Sequence, residues 1–349
     1  MVFSLLDPFM LFAYWSGVGS FVLTILITVQ IVYLRLSRLQ RERRERAFLA
    51  QWQPLLMQAI HDPGLMLPAL QPGQEVFFLK LWNHLHESLS AEATLALNQI
   101  GVRLGCFGMA RKMLRGAGRA RHLLAILTLG QLRDRAAWHD LMAEAVFVDS
   151  TASLNALRAL AQIDADAVIR EMTPQLLQRE DWPAGRLIAI FQESMPHFQA
   201  PLINAAAQGP MKQQLKALRM VEGMHLALPL PVLASLLDEK QAPEVIVAAL
   251  RVTLYPQLLV VVRTHLTHAD WRVRVQAVKA LGRIGRASDV SLLSTLLDDP
   301  EWWVRYRTAQ ALADVPSFNH NMLDHLRSLT ADPYAHDILN QVMAERGMA

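Results

Sequence analysis

Histidine is the residue type in this chain whose spacing comes nearest to a site for chemistry. There are 12 histidines, and His265 and His268 stand three residues apart, where they can share a helix face. A zinc site takes three or four ligands, but the one cysteine lies far away along the chain and Asp270 begins the next segment. The sequence therefore predicts no metal site and no cofactor.

Motifs for nucleophilic or phosphoryl-transfer chemistry are also missing. Gly116-Ala117-Gly118 and Gly17-Val18-Gly19 are too short for a phosphate-binding loop, and no Gly-x-Ser-x-Gly, Walker or kinase signature occurs. Acidic residues gather where helices are expected to begin, which is typical of helix caps. We therefore predict a protein that is not an enzyme and has no catalytic residues.

A repeat of about 31 residues organises most of the chain. Asp270-Trp271-Arg272-Val273-Arg274 is matched 31 residues later by Glu301-Trp302-Trp303-Val304-Arg305. A triplet of small, apolar and basic residues extends this register upstream, with first positions at 156, 187, 217, 249, 277 and 308. Such a period is typical of a solenoid, in which each unit buries its apolar face against its neighbours.

Within one repeat the apolar spacing is helical. One face of the first helix carries the predicted core residues, which are Val273, Ala277, Ala280, Leu281 and Ile284. A second amphipathic helix follows with Val290, Leu293, Leu296 and Leu297, and Asp298-Asp299-Pro300 ends it. No long alternating run is present, so an all-α fold without a sheet is expected.

These residues carry a resemblance to a known family. The pattern Asp-x-x-Val-Arg-x-x-Ala-x-x-Ala-Leu-Gly-x-Ile-Gly over 270–285 resembles a HEAT repeat of the short kind, also found in phycobilin-lyase-like proteins. The match is strong over 270–316, fair over 120–270 and absent before about residue 115. The resemblance implies an α-solenoid whose Val-Arg helices line a concave side, and it does not imply lyase activity.

The N-terminal region predicts a membrane anchor. Met10 to Leu34 contains no charged residue, and about 20 apolar residues span a bilayer. The arginines follow this stretch instead of preceding it, which favours an uncleaved single-pass helix with the N-terminus outside and the solenoid in the cytoplasm, at the inner membrane. The single cysteine, Cys106, agrees with a cytoplasmic location and is expected to be a small buried residue.

Two sets of residues on this anchor are candidate contact sites. One helix face is small and polar and predicts packing against another membrane helix, although such hydroxyls can instead bond to their own backbone. The residues of this face are Ala13, Gly17, Ser20, Thr24 and Thr28. The second set is predicted to meet anionic lipid headgroups and comprises Arg35, Arg38, Arg41, Arg43, Arg44 and Arg46.

The charge distribution argues against nucleic acid as a ligand. Residues 1–122 carry 13 Lys and Arg against 7 Asp and Glu, whereas residues 123–349 carry 21 against 24. The basic excess is therefore confined near the anchor, and the repeats lack the overall positive charge of a nucleic-acid-binding protein.

These features divide the chain into five segments. We predict an extracytoplasmic stub over 1–9, a transmembrane helix over 10–34 and a basic juxtamembrane segment over 35–50. An atypical helical cap over 51–115 then covers the end of a HEAT-like solenoid over 116–349, because solenoids need end units that shield apolar surface.

The polar face of the last two repeats is the predicted partner-binding surface. Copying the core register of 273–284 onto the next helix places Val304, Thr308, Ala311, Leu312 and Val315 inside, and Trp302 is also expected to be buried. The opposite, concave face then carries Arg272, Gln276, Lys279, Arg283, Trp303, Arg307 and Gln310. Exposed tryptophan beside arginine is typical of interface hot spots. Alternatively, Trp303 covers the final helix as part of a C-terminal cap.

Together these predictions favour a membrane-anchored cytoplasmic scaffold or adaptor. Its partner is expected to be an integral membrane protein or its complex, such as a polysaccharide glycosyltransferase or a secretion machine, which this chain would serve as an accessory subunit. The alternative is a lyase-like HEAT-repeat enzyme, or a chaperone acting on a cofactor-bearing protein. The absorption spectrum of the purified protein distinguishes the two.

Overall fold

The structure, a computed structural model, is all-helical wherever the chain is described. It describes residues 8–62, 64–116, 118–147, 150–192, 195–314 and 333–345, and no strand occurs in these ranges. The described residues form two compact units, Met1–Ile163 and Asp164–Ala349. The expected all-α architecture of helical hairpins is confirmed.

The first unit begins with one long helix, α1, from Pro8 to His61. Its 54 residues correspond to about 80 Å of helix at 1.5 Å per residue. The apolar part is exposed along its length and has a mean hydropathy of 2.0, enough by length and composition to cross a membrane. The stub over 1–9 lies outside the described residues, except for the start of α1.

The same helix carries the arginine run and then enters the packed part of the first unit. Phe48, Trp52, Leu56 and Ala59 are buried at the spacing of one helix face. The ring of Trp52 stacks on Phe48 at 5.5 Å between centroids and meets Phe78 edge-on at 5.4 Å. The predicted anchor, basic segment and start of the cap are thus successive parts of a single helix.

The helices that follow α1 in the first unit are short and pack against their neighbours. They are α2 (Glu75–Ser88), α3 (Ala91–Arg103), α4 (Cys106–Leu114), α5 (Arg119–Gln131) and α6 (Trp138–Val146). The indole of Trp82 donates to the carbonyl of Leu97 at 3.1 Å, and Asn83 donates to the hydroxyl of Thr128 at 2.9 Å. Cys106 is buried, as expected.

Helix α7 (Ser150–Gln178) is kinked at Asp164, where the backbone leaves helical geometry and the boundary between the units falls. The Asp164 carboxylate accepts from the amide of Ala167 at 3.0 Å and so caps the part of α7 that follows the kink.

The second unit continues with α8 (Ala184–Phe191), α9 (Met195–Gln208), α10 (Met211–Gly223), α11 (Leu230–Leu236), α12 (Pro243–Val252), α13 (Leu259–Thr264), α14 (Trp271–Ile284), α15 (Val290–Thr295), α16 (Trp302–Asp314) and α17 (Pro333–Glu345).

The predicted register of the repeat is confirmed by burial. The first residues of the triplets at 156, 187, 217, 249, 277 and 308 are all buried. Four of the predicted core residues of α14 are fully enclosed, while Ile284 is only partly so. A Cβ atom added to Gly282 would lie 3.2 Å from the Cβ of Ala311, so the glycine lets α14 and α16 approach closely. Val315 lies outside the described residues.

Candidate partner-binding face

The paired histidines are structural. The Nε2 atom of His265 is 2.9 Å from the carbonyl oxygen of Leu237 in a buried site, and His268 accepts from the amide of Asp270 at 3.0 Å. Burial lowers the pKa of His265. No group of three or more metal-ligating side chains occurs among the residues that the structure describes.

Carboxylates at the repeat boundaries cap the helices, as their positions suggested. Asp270 accepts from the amide of Arg272 at 2.8 Å and begins α14. Asp299 accepts from the amide of Glu301 at 2.9 Å just before α16. Each cap satisfies a backbone donor that the first turn of a helix leaves unpaired.

The arginine of the Val-Arg motif ties successive repeats together. Arg274 on α14 donates two hydrogen bonds to the buried carboxylate of Asp299, at 2.7 and 2.8 Å. It also donates to the carbonyls of His268 and Ala269, at 2.9 and 3.1 Å. The guanidinium therefore holds the turn before α14 and the turn before α16 at once, and it is not available to a partner.

The residues predicted on the polar face of α14 lie on one side of that helix. Arg272 is exposed and pairs with Asp270 and Glu244, at 2.6 and 3.1 Å. Gln276 is partly buried and Lys279 is exposed. These two ion pairs neutralise the charge of Arg272, which lies at the N-terminal end of the polar face of α14.

Arg283 extends the same face toward the preceding helix. Its guanidinium donates to the carbonyls of Leu250 and Arg251 on α12, at 2.7 and 3.3 Å. Partial burial lowers its pKa. The side chain therefore links α14 to α12 while remaining at the surface.

On α16, Trp303, Arg307 and Gln310 occupy the repeat positions that Arg272, Gln276 and Lys279 occupy on α14. Trp303 is 49% exposed. Arg307 donates to the side-chain oxygen of Gln310 at 2.6 Å, and its guanidinium lies 5.5 Å from the ring centre of Tyr306. The exposure of Trp303 leaves an aromatic surface next to a guanidinium.

The expected burial of Trp302 is wrong, because its side chain is 40% exposed. Its ring stacks on Tyr306 at 5.0 Å and meets Trp303 edge-on at 4.7 Å. Trp302 is the first residue of α16, as Trp271 is of α14, and Trp271 is also exposed. This shared position at the start of two successive repeats is the signal in the sequence that the burial prediction overlooked.

The aromatic cluster of Trp302, Trp303 and Tyr306 also touches the last described helix. The hydroxyl of Tyr306 donates to the carboxylate of Glu345 on α17, with oxygen distances of 3.0 and 3.2 Å. This bond raises the pKa of Tyr306. Tyr306 thus contributes to the C-terminal packing, while both tryptophans keep accessible ring surface.

Two further charged residues on this face come from preceding helices and were not predicted. Arg251 on α12 lies 3.9 Å from the carboxylate of Glu222 on α10. Partial burial of the Lys279 ammonium group lowers its pKa, and like-charge repulsion from Arg307, Arg251 and Arg283 lowers it further. Arg251 is the basic residue of its triplet, so its repeat position was visible in the sequence, although its proximity to Lys279 was not.

On α1, the candidate helix-packing residues whose side chains are described are exposed. The hydroxyl of Thr24 donates to the carbonyl of Ser20, and that of Thr28 to the carbonyl of Thr24, both at 2.8 Å. An added Cβ at Gly17 would meet nothing within 4 Å. The side chain of Ala13 lies outside the described residues.

The predicted headgroup-binding arginines are exposed along the following turns of α1. Arg46 pairs with Glu42 at 3.7 Å. Glu45 pairs with Lys80 on α2 at 2.8 Å, which ties this stretch of α1 to the packed part of the first unit.

Comparison with known proteins agrees with the repeat assignment. A family model described as HEAT repeats matches residues 230–313 and 255–344. No curated protein matches the chain.

Among solved structures, the chain is similar to an engineered protein, with 19% identity, 79% of this chain and 86% of that chain covered, and a TM-score of 0.36. It is also similar to YibA of Escherichia coli, with 12% identity and a TM-score of 0.33. That match covers 79% of this chain and 99% of YibA. At TM-scores this low neither similarity bears on function. The helical hairpins, the register of about 31 residues and the family match together identify residues 230–344 as HEAT repeats.

Proposed function

We propose that this protein is a membrane-tethered scaffold that holds a protein partner on the face formed by α14 and α16. The observation that carries the proposal is the exposed pair Trp302 and Trp303 beside Arg307. Tryptophan and arginine dominate interface hot spots because they bury large areas and make directed contacts. HEAT-repeat stacks are typically non-catalytic, which favours binding as the role.

The membrane part of the proposal rests on α1. Its apolar stretch is long enough to span a bilayer and is followed by six arginines, which favour retention on the cytoplasmic side. The repeats would then lie in the cytoplasm, with the arginines near anionic headgroups. An integral membrane protein or its complex is the natural partner, and an inner-membrane polysaccharide glycosyltransferase or secretion machine would fit this arrangement.

Affinity purification of the full-length protein from detergent tests the scaffold role. The wild type should retain a specific membrane protein, and a variant with Trp303→Ala and Arg307→Ala should lose it while remaining folded. Val260→Ala is the matched control, because Val260 is an exposed apolar residue on α13, which is not part of the proposed face. Equal retention by all three proteins would refute the proposed face, whereas early melting of the double variant would support the alternative role of Trp303 in a C-terminal cap.

A topology reporter tests the tether. A reporter that is active only outside the cytoplasm, fused after Ala349, should be silent, and moving the arginines ahead of Met10 should weaken that preference. A strong signal from the unaltered fusion would reverse the proposed orientation.

A further inference from the structure

Four cationic side chains gather on the proposed binding face, and we call them the basic cluster: Arg251, Lys279, Arg283 and Arg307. They come from α12, α14 and α16, one helix from each of three successive hairpins, and α14 packs against both of the others. Arg283 is fixed between two of these helices by its bonds to the carbonyls of Leu250 and Arg251. The cluster is therefore built by the stacking of repeats and does not depend on one flexible loop.

The basic cluster is poorly neutralised. Glu222 is the carboxylate that acts on Lys279, against three guanidinium groups that repel it. Glu222 is also shared with Arg251, at 3.9 Å. Lys279 itself has no hydrogen bond or ion pair within the described ranges of the chain. Repulsion among these groups is an unfavourable energy that a bound anion would relieve.

Other arginines of the second unit show how differently structural cations are arranged. Arg274 binds Asp299 through two hydrogen bonds, and Arg263 binds Asp289 at 2.6 Å. In both pairs the carboxylate is buried and comes from the next repeat. Among the residues that the structure describes, the basic cluster has no buried carboxylate partner, and the Glu222 carboxylate that pairs with Arg251 is exposed. This points to an anion supplied from outside the chain.

We propose that the basic cluster binds an acidic segment of the protein partner, with carboxylates placed three residues apart. This inference rests on the proposed scaffold function and adds the chemistry of the partner. Packed helix axes are about 8–10 Å apart, so the cluster spans about 20 Å from α12 to α16. A polyproline II segment has three residues per turn and advances about 3.1 Å per residue, so every third side chain points the same way and meets the next helix.

The aromatic cluster next to the basic cluster would bind one end of the acidic segment. Trp303 and Tyr306 lie on α16 with Arg307, whose guanidinium is 5.5 Å from the Tyr306 ring. An apolar residue beside the last carboxylate would contact these rings, while the acidic residues would follow the basic cluster toward α12. The charged contacts would thus set the position of the acidic segment along the helices, and the aromatic rings would hold its end in place.

Fluorescence anisotropy with two synthetic peptides tests the proposal on the full-length protein in detergent. Both peptides contain three glutamates and one tryptophan, with the glutamates either three residues apart or consecutive. The spaced peptide should bind more tightly, and its binding should weaken as NaCl is raised from 50 to 500 mM. Lys279→Glu should reduce its affinity by at least about tenfold, because like charges then face each other.

Lys240→Glu is the matched control, since Lys240 is exposed in the turn before α12, whereas Arg251 of the cluster lies at the other end of that helix. An equal loss in Lys279→Glu and Lys240→Glu, or equal affinity for the two peptides, would overturn the inference. Tighter binding of a single-stranded DNA oligonucleotide than of the spaced peptide would overturn it as well, because the cluster would then be a nucleic-acid contact.

Affinity purification separates this inference from the proposed function. A partner that is retained by the wild type and lost with Lys279→Glu supports both. A partner lost only when Trp303 is replaced, and kept by Lys279→Glu, leaves the scaffold intact and refutes the acidic segment. Specific peptide binding in a protein that retains no partner supports the acidic ligand and refutes the scaffold.

Discussion

Replacing Arg274 by alanine should damage the repeat stack far more than replacing its neighbour Arg272. Arg274 makes two bonds to Asp299 and two more to backbone carbonyls in the turn before α14. The Asp299 side chain is only 4% exposed, so Arg274→Ala leaves a buried charge without its partner. Losing one member of a buried ion pair costs about 3–5 kcal/mol.

Arg272 provides the matched control two residues away. It also forms ion pairs, with Asp270 and Glu244, but its side chain is 48% exposed. Solvent screens such pairs, so they contribute little to stability. Arg274→Ala should therefore lower the free energy of unfolding by about 3–5 kcal/mol, and Arg272→Ala should lower it much less.

Hydrogen exchange measured by mass spectrometry on the detergent-solubilised protein can localise the effect. Solenoids lose structure locally, so Arg274→Ala should speed exchange in α14 to α16 and leave α2 to α5 unchanged. Adding Asp299→Asn should recover part of the protection, because asparagine removes the buried charge and can still accept from the amide of Glu301. Equal exchange in the two single variants, or no recovery by Asp299→Asn, would refute this explanation of the Val-Arg motif.

Three further predictions test burial. In chemical denaturation, Leu281→Ala should lower the free energy of unfolding by about 2–5 kcal/mol. Leu292→Ala, at an exposed position of the same repeat, should lower it by less than about 0.5 kcal/mol. Similar losses in the two variants would contradict the predicted repeat register. Burial raises the pKa of the Cys106 thiol to about 12, so a thiol reagent at pH 8 should label the folded protein slowly and the unfolded protein fast. Burial lowers the pKa of Lys216 from 10.5 to about 8. The unfolded chain therefore binds more protons between these values, and the free energy of unfolding should rise from pH 7.5 to 9.5 relative to Lys216→Met; a parallel pH dependence would show that Lys216 is not perturbed.

Much of the repeat unit was predictable because its signals are local. Apolar spacing defines a buried helix face wherever the helix packs, so Val273, Ala277 and Leu281 were identified correctly. The prediction failed at Trp302, where residue type suggested burial but the side chain is exposed and stacks on Tyr306. The family resemblance helped with the fold and said nothing of the partner.

The sequence alone determined the helical class, the register of about 31 residues and the uncharged stretch before the arginines, since each depends on residues close together in the chain. Only the tertiary structure showed that Arg274 is a structural link, and that Arg251, Lys279 and Arg307 from three helices share one charged region. Such contacts join residues about one repeat apart. Their geometry depends on how neighbouring helices pack, which no local pattern of side chains encodes.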